Sequence, residues 1–402
     1  MLLKPMEYFV LSDMDFSEKR VFVRCDFNVP LDDKLNISND RRIRAALPTI
    51  SYILEKGAKQ VILASHLGKP QKDIKKGKSA EEVRKKLSLA PVAKRLAELL
   101  EKDVAALQDC VDVEMPDSRL VLLENLRFHE EEESKDDSVR DGFAKKLAGY
   151  ADLYVNDAFG TCHRKHASVY DITKYLKSAA GLLVEQEIRM MEPVRDNPKK
   201  PFALLLGGAK VEDKIKVVET MYEKLDMILI GGAMAFAFFK AQGHEVGKSL
   251  CEGVDIAQKI LDNYSDKITL PVDVVLDDET VADYDKMPAE KSGLDIGPKT
   301  VGLFKEKIKN AKTVFWNGPF GLFEKKPFEK STAEIAEYLA GLCKKGATIV
   351  IGGGDTAAAM EELNLQDKFT HVSTGGGASL EFFQGEELPA IKALKENYQK
   401  FS

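Results

Sequence analysis

In VRCDFNVP, residues 23–30, Arg24, Asp26 and Asn28 alternate with Val23, Cys25, Phe27 and Val29. Read as a strand, this spacing sets a cation, an anion and an amide on one face and apolar side chains on the other. Arg42, His66, Lys69, Arg127, His163, Arg164 and His166 likewise fall at or just after apolar runs in the first half of the chain. Arginine presents a planar fork that donates two parallel hydrogen bonds to a phosphate or carboxylate. Taken singly, each of these residues is more often structural than functional. Together they describe a polar floor for a small anion, with Asp26 orienting its neighbours and accepting a ligand hydroxyl. SNDRRIRAALP, residues 38–48, is apolar at Ile43, Ala46 and Leu47, which predicts a helix that carries one of its arginines inward.

The second half carries glycines where the first carries cations. Gly207-Gly208, Gly231-Gly232, Gly352-Gly353-Gly354 and Gly375-Gly376-Gly377 each close an apolar run. Glycine lets the backbone approach a phosphate, and a following helix start offers free N–H groups. A lone Gly-Gly serves helix–sheet packing just as well; four in succession point to a ligand. In GGGDTAAAM, Asp355 or Thr356 is positioned to cap a helix, and Ser379 and Glu381 follow the last triplet. Lys210 and Lys214, four apart, would share one helix face beside a glycine turn. GHEVGKS, residues 243–249, is one residue short of a Walker A loop and follows a helical pattern, so it is set aside. No G-x-G-x-x-G follows a strand either, which disfavours a dinucleotide-dependent dehydrogenase.

These residues need elements to hold them. Ten apolar, β-branched runs alternate with amphipathic stretches, such as KVEDKIKVVETMYEKL at 210–225, and this predicts parallel sheets covered by helices on both faces. The predicted fold class is α/β, two Rossmann-like three-layer α/β/α domains with mainly parallel sheets joined by a hinge helix. With 402 residues the chain exceeds what one core usually holds. Residues 1–181 would form the first domain, 182–200 the hinge helix, 201–385 the second domain, and 386–402 a tail. A net charge of −6 argues against a nucleic-acid binder. Five scattered cysteines without a C-x-x-C pair exclude a disulfide framework and disfavour a zinc site. The start, MLLKPMEYFV, is interrupted by Lys4, Pro5 and Glu7, unlike a signal peptide. The longest apolar stretch has 13 residues, short of the roughly 18 of a membrane span. A soluble, cytoplasmic protein with no membrane partner is expected. The acidic run FHEEEESKDDSVRD, 128–141, reads as solvated surface.

An anion held in one half and a nucleotide in the other suggest phosphoryl transfer, which asks for positioning and charge neutralisation more than covalent work. VRCDFNVP, SHLGKP, ENLRFH, NDAFGTCHR, GGAKVEDKI, GGAMAF, WNGPFGLFE, GGGDT and STGGGASLE, in this order over about residues 20–385, resemble the phosphoglycerate kinase family. The resemblance implies reversible transfer of the acyl phosphate of 1,3-bisphosphoglycerate to ADP, giving ATP and 3-phosphoglycerate, with Mg²⁺ and hinge closure, in a monomer whose C-terminal tail returns to the first domain. It implies a substrate site of Arg24, Asp26, Phe27, Asn28, Arg42, His66, Leu67, Gly68, Lys69, Arg127 and Arg164. The nucleotide site would comprise Gly207, Gly208, Lys210, Lys214, Gly232, Asn317, Glu324, Gly352, Gly353, Gly354, Asp355 and Thr356. Glu324 would take the ribose hydroxyls and Asp355 the metal, while Arg42, Lys214, Gly375 and Gly376 would surround the moving phosphoryl group. A kinase of the same fold acting on another carboxylate, or a non-catalytic nucleotide-binding scaffold, are the alternatives.

Where the family's motif reads SHLGRP, this chain has Lys69. Lysine keeps the charge and loses the bidentate fork. Lys69→Arg should therefore lower the KM for phosphoglycerate with little change for ATP. Steady-state kinetics check this, and an unchanged or higher KM would overturn it.

Overall fold

The computed structural model describes residues 6–402; Lys4 and Pro5 of the opening segment lie outside them. The chain divides into two compact units, Met1–Ile188 with Glu387–Ser402, and Arg189–Glu386.

The strands of the first unit are β1 (Phe9–Val10), β2 (Arg20–Cys25), β3 (Gln60–Ala64), β4 (Ala105–Ala106), β5 (Leu120–Leu122), β6 (Leu153–Asp157) and β7 (Lys177–Ala180). They form one sheet in the order β1-β7-β6-β2-β3-β5-β4, every pairing parallel. Its helices are α1 (Arg41–Glu55), α2 (Pro70–Lys75), α3 (Ala80–Leu87), α4 (Ala90–Leu100) and α5 (Asp137–Ala148). Both sheet faces are apolar, as a covered parallel sheet requires. Val21, Val23, Cys25, Val61 and Leu63 pack with Ile43 and Ile50 of α1 and Val92 and Leu96 of α4. Phe22, Ile62 and Tyr154, one residue out of phase, pack with Phe143 and Leu147 of α5. The alternation read in VRCDFNVP holds only as far as Cys25. There the Asp26 carboxylate accepts the Asn28 N–H at 3.2 Å, a local bond that turns the chain out of the sheet. Asp26, Phe27 and Asn28 thus stand in a loop above the sheet edge.

Helix α6 (Leu182–Asp196) carries the chain across the unit boundary. The second unit adds β8 (Phe202–Leu206), β9 (Met227–Ile230), β10 (Ile268–Thr269), β11 (Asp273–Leu276), β12 (Val281–Asp283), β13 (Gly293–Ile296), β14 (Thr313–Asn317), β15 (Thr348–Gly352) and β16 (His371–Val372). A parallel sheet runs β10-β9-β8-β14-β15-β16. The helices are α7 (Glu212–Met221), α8 (Met234–Ala241), α9 (Val254–Tyr264), α10 (Pro298–Ile308), α11 (Lys330–Lys344), α12 (Gly354–Glu362) and α13 (Gly377–Phe383). Strand order reverses between β8 and β14, the point at which open α/β sheets leave a crevice beyond their strand ends. One segment departs from the sequence reading. ITLPVDVVL is two strands: β10 joins the parallel sheet, and β11, beyond Pro271, pairs antiparallel with β12 and β13. Proline cannot donate to a ladder, so the chain changes sheets there.

The C-terminal helix α14 (Pro389–Phe401) belongs to the first unit. Asn397, buried against β7, accepts the Ser178 N–H at 2.9 Å and donates to the carbonyls of Thr173 at 2.6 Å and Leu176 at 2.8 Å. Asn397→Ala strips the Ser178 N–H and the Thr173 carbonyl of this partner, while the Leu176 carbonyl keeps the Ser178 hydroxyl, and should destabilise this unit by about 2–4 kcal/mol. Urea unfolding of the variant checks this; an unchanged midpoint would mean α14 is held by its apolar face alone.

Candidate functional site

The basic floor is assembled from the loops after β2, β3, β5 and β6, all neighbours in one sheet and all at its C-terminal edge. Helix α1 turns Arg42 toward it, and the guanidinium donates to Asp26 Oδ2 at 2.7 Å. Asn28 accepts the Gly68 N–H at 2.8 Å, and the Phe27 N–H donates to Ser65 Oγ at 2.7 Å. Gly68 lies at φ +64°, a left-handed conformation natural to glycine, and this lets its carbonyl accept from Arg127 NH1 at 2.8 Å. Asn125 locks the two loops by donating to the carbonyls of Leu67 and Leu87 at 2.8 and 2.9 Å and accepting from the Leu67 and Arg127 N–H groups. Asp26, Asn28, Arg42, Gly68 and Arg127 are thereby tied into one network. Lys69 is exposed at the start of α2, and the Phe27 and Leu67 side chains point into the core.

Arg24 lies beneath that surface. It is 0% exposed, with Nε donating to Ser168 Oγ at 2.8 Å, NH1 to the Cys25 carbonyl, and NH2 3.3 Å from His66 Nδ1. Its counter-charge is Glu132, also fully buried and 4.0 Å away, whose carboxylate accepts the Ser168 N–H and hydroxyl at 3.0 and 2.6 Å. Arg24 therefore meets a ligand through His66, and the acidic run is not wholly solvated surface. A single 3-10 turn, Glu130–Glu133, rotates Glu132 inward. Burial raises the Glu132 carboxyl, while Arg24 and the Ser168 bonds oppose that. No spacing rule marks Glu132 or Ser168, because their role comes from a charge on another strand.

The histidines of the floor are neutral. Burial first, then the Arg127 and Arg24 charges, hold His66 well below the usual imidazole range. Burial with Arg164 and Arg127 lowers His163 to about 4, and burial with Arg127 and Arg24 lowers His166 to about 2. His163 Nε2 accepts from Arg164 Nε at 2.9 Å, which only an unprotonated nitrogen can do.

In the second unit the glycines divide into two kinds. A Cβ on Gly207 would come within 2.2 Å of the Pro319 carbonyl, and one on Gly318 within 2.2 Å of the Gly207 carbonyl. Gly208 N–H donates to the Pro319 carbonyl at 2.8 Å, and Gly232 N–H to that of Phe320 at 3.0 Å. Gly207, Gly208, Gly232 and Gly318 thus knit three loops together. By contrast, a Cβ on Gly354 or Gly376 would meet no atom within 4 Å, so the backbone there lies open to a ligand. The caps also differ from the sequence reading. The N-cap of α12 is Gly353, which places Asp355 and Thr356 inside the first turn. Thr356 accepts the Gly318 N–H at 2.7 Å, while Asp355 is exposed. The N-cap of α13 is Gly376, with the Gly375 N–H bonded to Ser373 Oγ at 3.0 Å.

Lys210 precedes α7, so it shares no helix face with Lys214. Lys214 is half-buried and donates to Asn317 Oδ1. Burial lowers its ammonium to about 8, with Asp213 and Asp355 opposing the shift. Gly208, Gly232, Glu324 and Asp355 line a cavity of about 390 Å³ together with Phe236, Leu250, Leu294 and Leu322. Those apolar walls come from α8, β13 and the loops before α9 and after β14, and were missed in the sequence, where they look like ordinary core positions. Leu250 and Leu322 are 52% and 41% exposed, an unusual exposure that a flat apolar ligand would relieve.

A two-unit α/β enzyme, with a basic ligand floor in one unit and a glycine-bounded apolar cavity in the other, is the class that fold and site define. A family model described as phosphoglycerate kinase matches residues 11–386. The phosphoglycerate kinase of Dictyoglomus turgidum is 48% identical over 405 residues, covering 96% of this chain and 98% of that protein. The cytosolic phosphoglycerate kinase of Triticum aestivum is also 48% identical, over 406 residues, with coverage of 96% and 98%. Among solved structures, phosphoglycerate kinase from Pyrococcus horikoshii superposes with a TM-score of 0.85 at 33% identity, covering 98% of this chain and 100% of that one. The Coxiella burnetii protein gives a TM-score of 0.81 at 37% identity, covering 97% and 99%. The chain belongs to the phosphoglycerate kinase family, whose members are phosphotransferases.

The neutral histidines make stability depend on pH. A histidine lowered on folding stabilises fully above its unfolded value of 6.5, and that contribution is lost as pH falls through about 4 for His163. Asp157, raised by burial to about 7, runs the other way, so the comparison of two proteins is the informative quantity. His163→Gln should flatten the fall in stability of the ligand-free protein on acidification. Denaturant titrations at several pH values measure it, and parallel curves for the two proteins would rule out His163 as a source.

Proposed function

We propose that this chain catalyses the reversible transfer of a phosphoryl group between ATP and the carboxylate of 3-phosphoglycerate, forming ADP and 1,3-bisphosphoglycerate. The observation that carries this reading is the gathering of Arg42, Arg127 and Arg164 with Asp26, Asn28 and His66 at one parallel-sheet edge. Five positive or hydrogen-bonding side chains around the Asp26 carboxylate suit a ligand with two anionic ends and a hydroxyl between them. Phosphate would be met by Arg127, Arg164 and Lys69, and the hydroxyl by Asp26. Arg42 is the one arginine of the set carried by an α-helix, and its side chain, paired with the buried Asp26, is a third exposed. It is free to exchange that partner for the charge that develops on the moving phosphoryl group.

In the second unit the nucleotide base would enter the apolar cavity, with Glu324 at the ribose. The phosphates would run along Gly352 to Thr356, where the open backbone at Gly354 offers N–H donors at a helix start. Lys214, with an ammonium already lowered by burial, gains an anion there, which would raise it again. Asp355, an exposed hard-oxygen donor in the same turn, fits Mg²⁺. When bound, that ion would neutralise phosphate charge. The glycines at 375–377 give a second set of N–H groups for the transferred group. Transfer in a single in-line step requires the two ligands to meet, which we assign to closure about α6. Cytoplasmic location and a monomeric state complete the proposal. The cytosolic wheat relative supports the location, and the monomeric state rests on the family resemblance alone.

The test is formation of an acyl phosphate from 3-phosphoglycerate and Mg-ATP, trapped with hydroxylamine. Arg42→Ala should cut kcat by about 10²-fold or more while leaving the ATP dissociation constant within about twofold. Hydroxamate at enzyme-like turnover in the parent chain supports the reading. No hydroxamate with nucleotide still bound would point to another carboxylate, and equal losses of ATP affinity and turnover would remove Arg42 from its role.

A further inference from the structure

The cations of the basic floor already have an anion. Glu133 Oε1 stands 2.9 Å from Arg127 Nε, 3.4 Å from His166 Nε2 and 3.9 Å from Arg164 NH1. It is the outward neighbour of Glu132, and the two carboxylates divide the arginines between them. Glu132 is sealed beneath the floor with Arg24, whereas the Glu133 side chain is 34% exposed. The contact with Arg127 is close but misaligned, since Arg127 Nε has no partner at hydrogen-bonding angles. NH1 of the same guanidinium is committed to the Gly68 carbonyl. Glu133 therefore neutralises charge at Arg127 without saturating its donor, and a misaligned ion pair whose carboxylate is a third exposed is weakly held.

We propose that Glu133 is a resident competing anion that sets the specificity of the floor. Its carboxylate holds the place of a ligand phosphate among Arg127, Arg164 and His166 and must be displaced for a phosphate to bind. An isolated phosphate recovers little more than it displaces. A ligand that also engages Arg42, Asp26 and Asn28 gains contacts Glu133 does not contest, so the competition penalises small anions more than a two-ended substrate. On release, the carboxylate returns to the arginines and limits the residence of product. This inference rests on the proposed substrate site, and the position is invisible in the sequence, where Glu133 is one of four consecutive glutamates.

The experiment compares the full-length chain with Glu133→Gln, which keeps shape and removes charge. Inorganic phosphate is titrated by calorimetry, and the KM for phosphoglycerate and ATP is measured alongside. The variant should bind inorganic phosphate at least about threefold more tightly and show a phosphoglycerate KM lowered by a smaller factor, with the ATP KM unchanged. Unchanged or weaker phosphate binding at an unchanged Tm would overturn the proposal and make Glu133 a support for Arg127. Absence of phosphate binding to either protein would overturn it too. Glu133→Ala guards against a residual hydrogen bond from glutamine. Because the phosphate titration needs no turnover, it judges Glu133 even if the parent chain proves inactive on 3-phosphoglycerate, a result that would remove only the substrate assignment.

Discussion

Like charges must be kept together at the edge of one sheet before any ligand arrives, and the first unit is organised around that constraint. Arg24, Arg42, Arg127 and Arg164 converge there with three histidines. Unopposed, so many cations in a partly dry site would repel one another by more than a marginally stable unit can tolerate. Three carboxylates and one protonation choice answer this. Glu132 pairs with Arg24 below, Glu133 with Arg127 above, and Asp26 with Arg42 at the side. The histidines give up their protons, as the downward shifts of His66, His163 and His166 indicate. What remains is a positive surface whose donors are aimed but only partly neutralised.

The price of that arrangement is a buried ion pair. Arg24 and Glu132 are both withdrawn from water, and removing either would strand the other, a loss of about 3–5 kcal/mol for buried pairs in general. Ser168 mediates the pairing, donating from both its hydroxyl and its N–H to Glu132 while accepting from Arg24. The pair fixes the arginine, and the arginine in turn faces Nδ1 of His66, so the ring has one nitrogen directed inward and the other toward the floor. Burying a charge here is thus a means of orienting an uncharged side chain above it.

The same division between support and contact runs through the second unit, by means of glycine instead of charge. Gly207, Gly208, Gly232 and Gly318 allow three strand-end loops to interlock at the point where strand order reverses. At Gly354 and Gly376, both at helix starts, a Cβ would meet no atom within 4 Å. Thr356 belongs to the supporting set, through its bond to Gly318, although it sits one residue from Asp355 in the exposed set. Adjacent residues of one motif therefore do different work.

That division explains what could be read from the sequence. Parallel sheets and alternating helices follow from local periodicity, and the ten apolar runs each hold a strand, although ITLPVDVVL divides between two sheets and the short antiparallel sheet is not marked. Periodicity also identified a chemical character for each half, since cations and glycines fall where the strands stop. It could not say which residue of a motif faces the ligand, because that depends on partners far away in the chain. Arg24 looks equivalent to Asp26 and Asn28 until Ser168 and Glu132, 144 and 108 positions later, draw it under the floor. Glu132 and Glu133 look interchangeable within EEEE, yet one short turn sends the first inward and the second outward. A parallel sheet gathers its strand ends from distant parts of the chain, so the chemistry at such an edge is non-local by construction. The pattern of a motif locates a site of this kind, and the buried counter-charges beneath it determine which members of the motif remain available to bind.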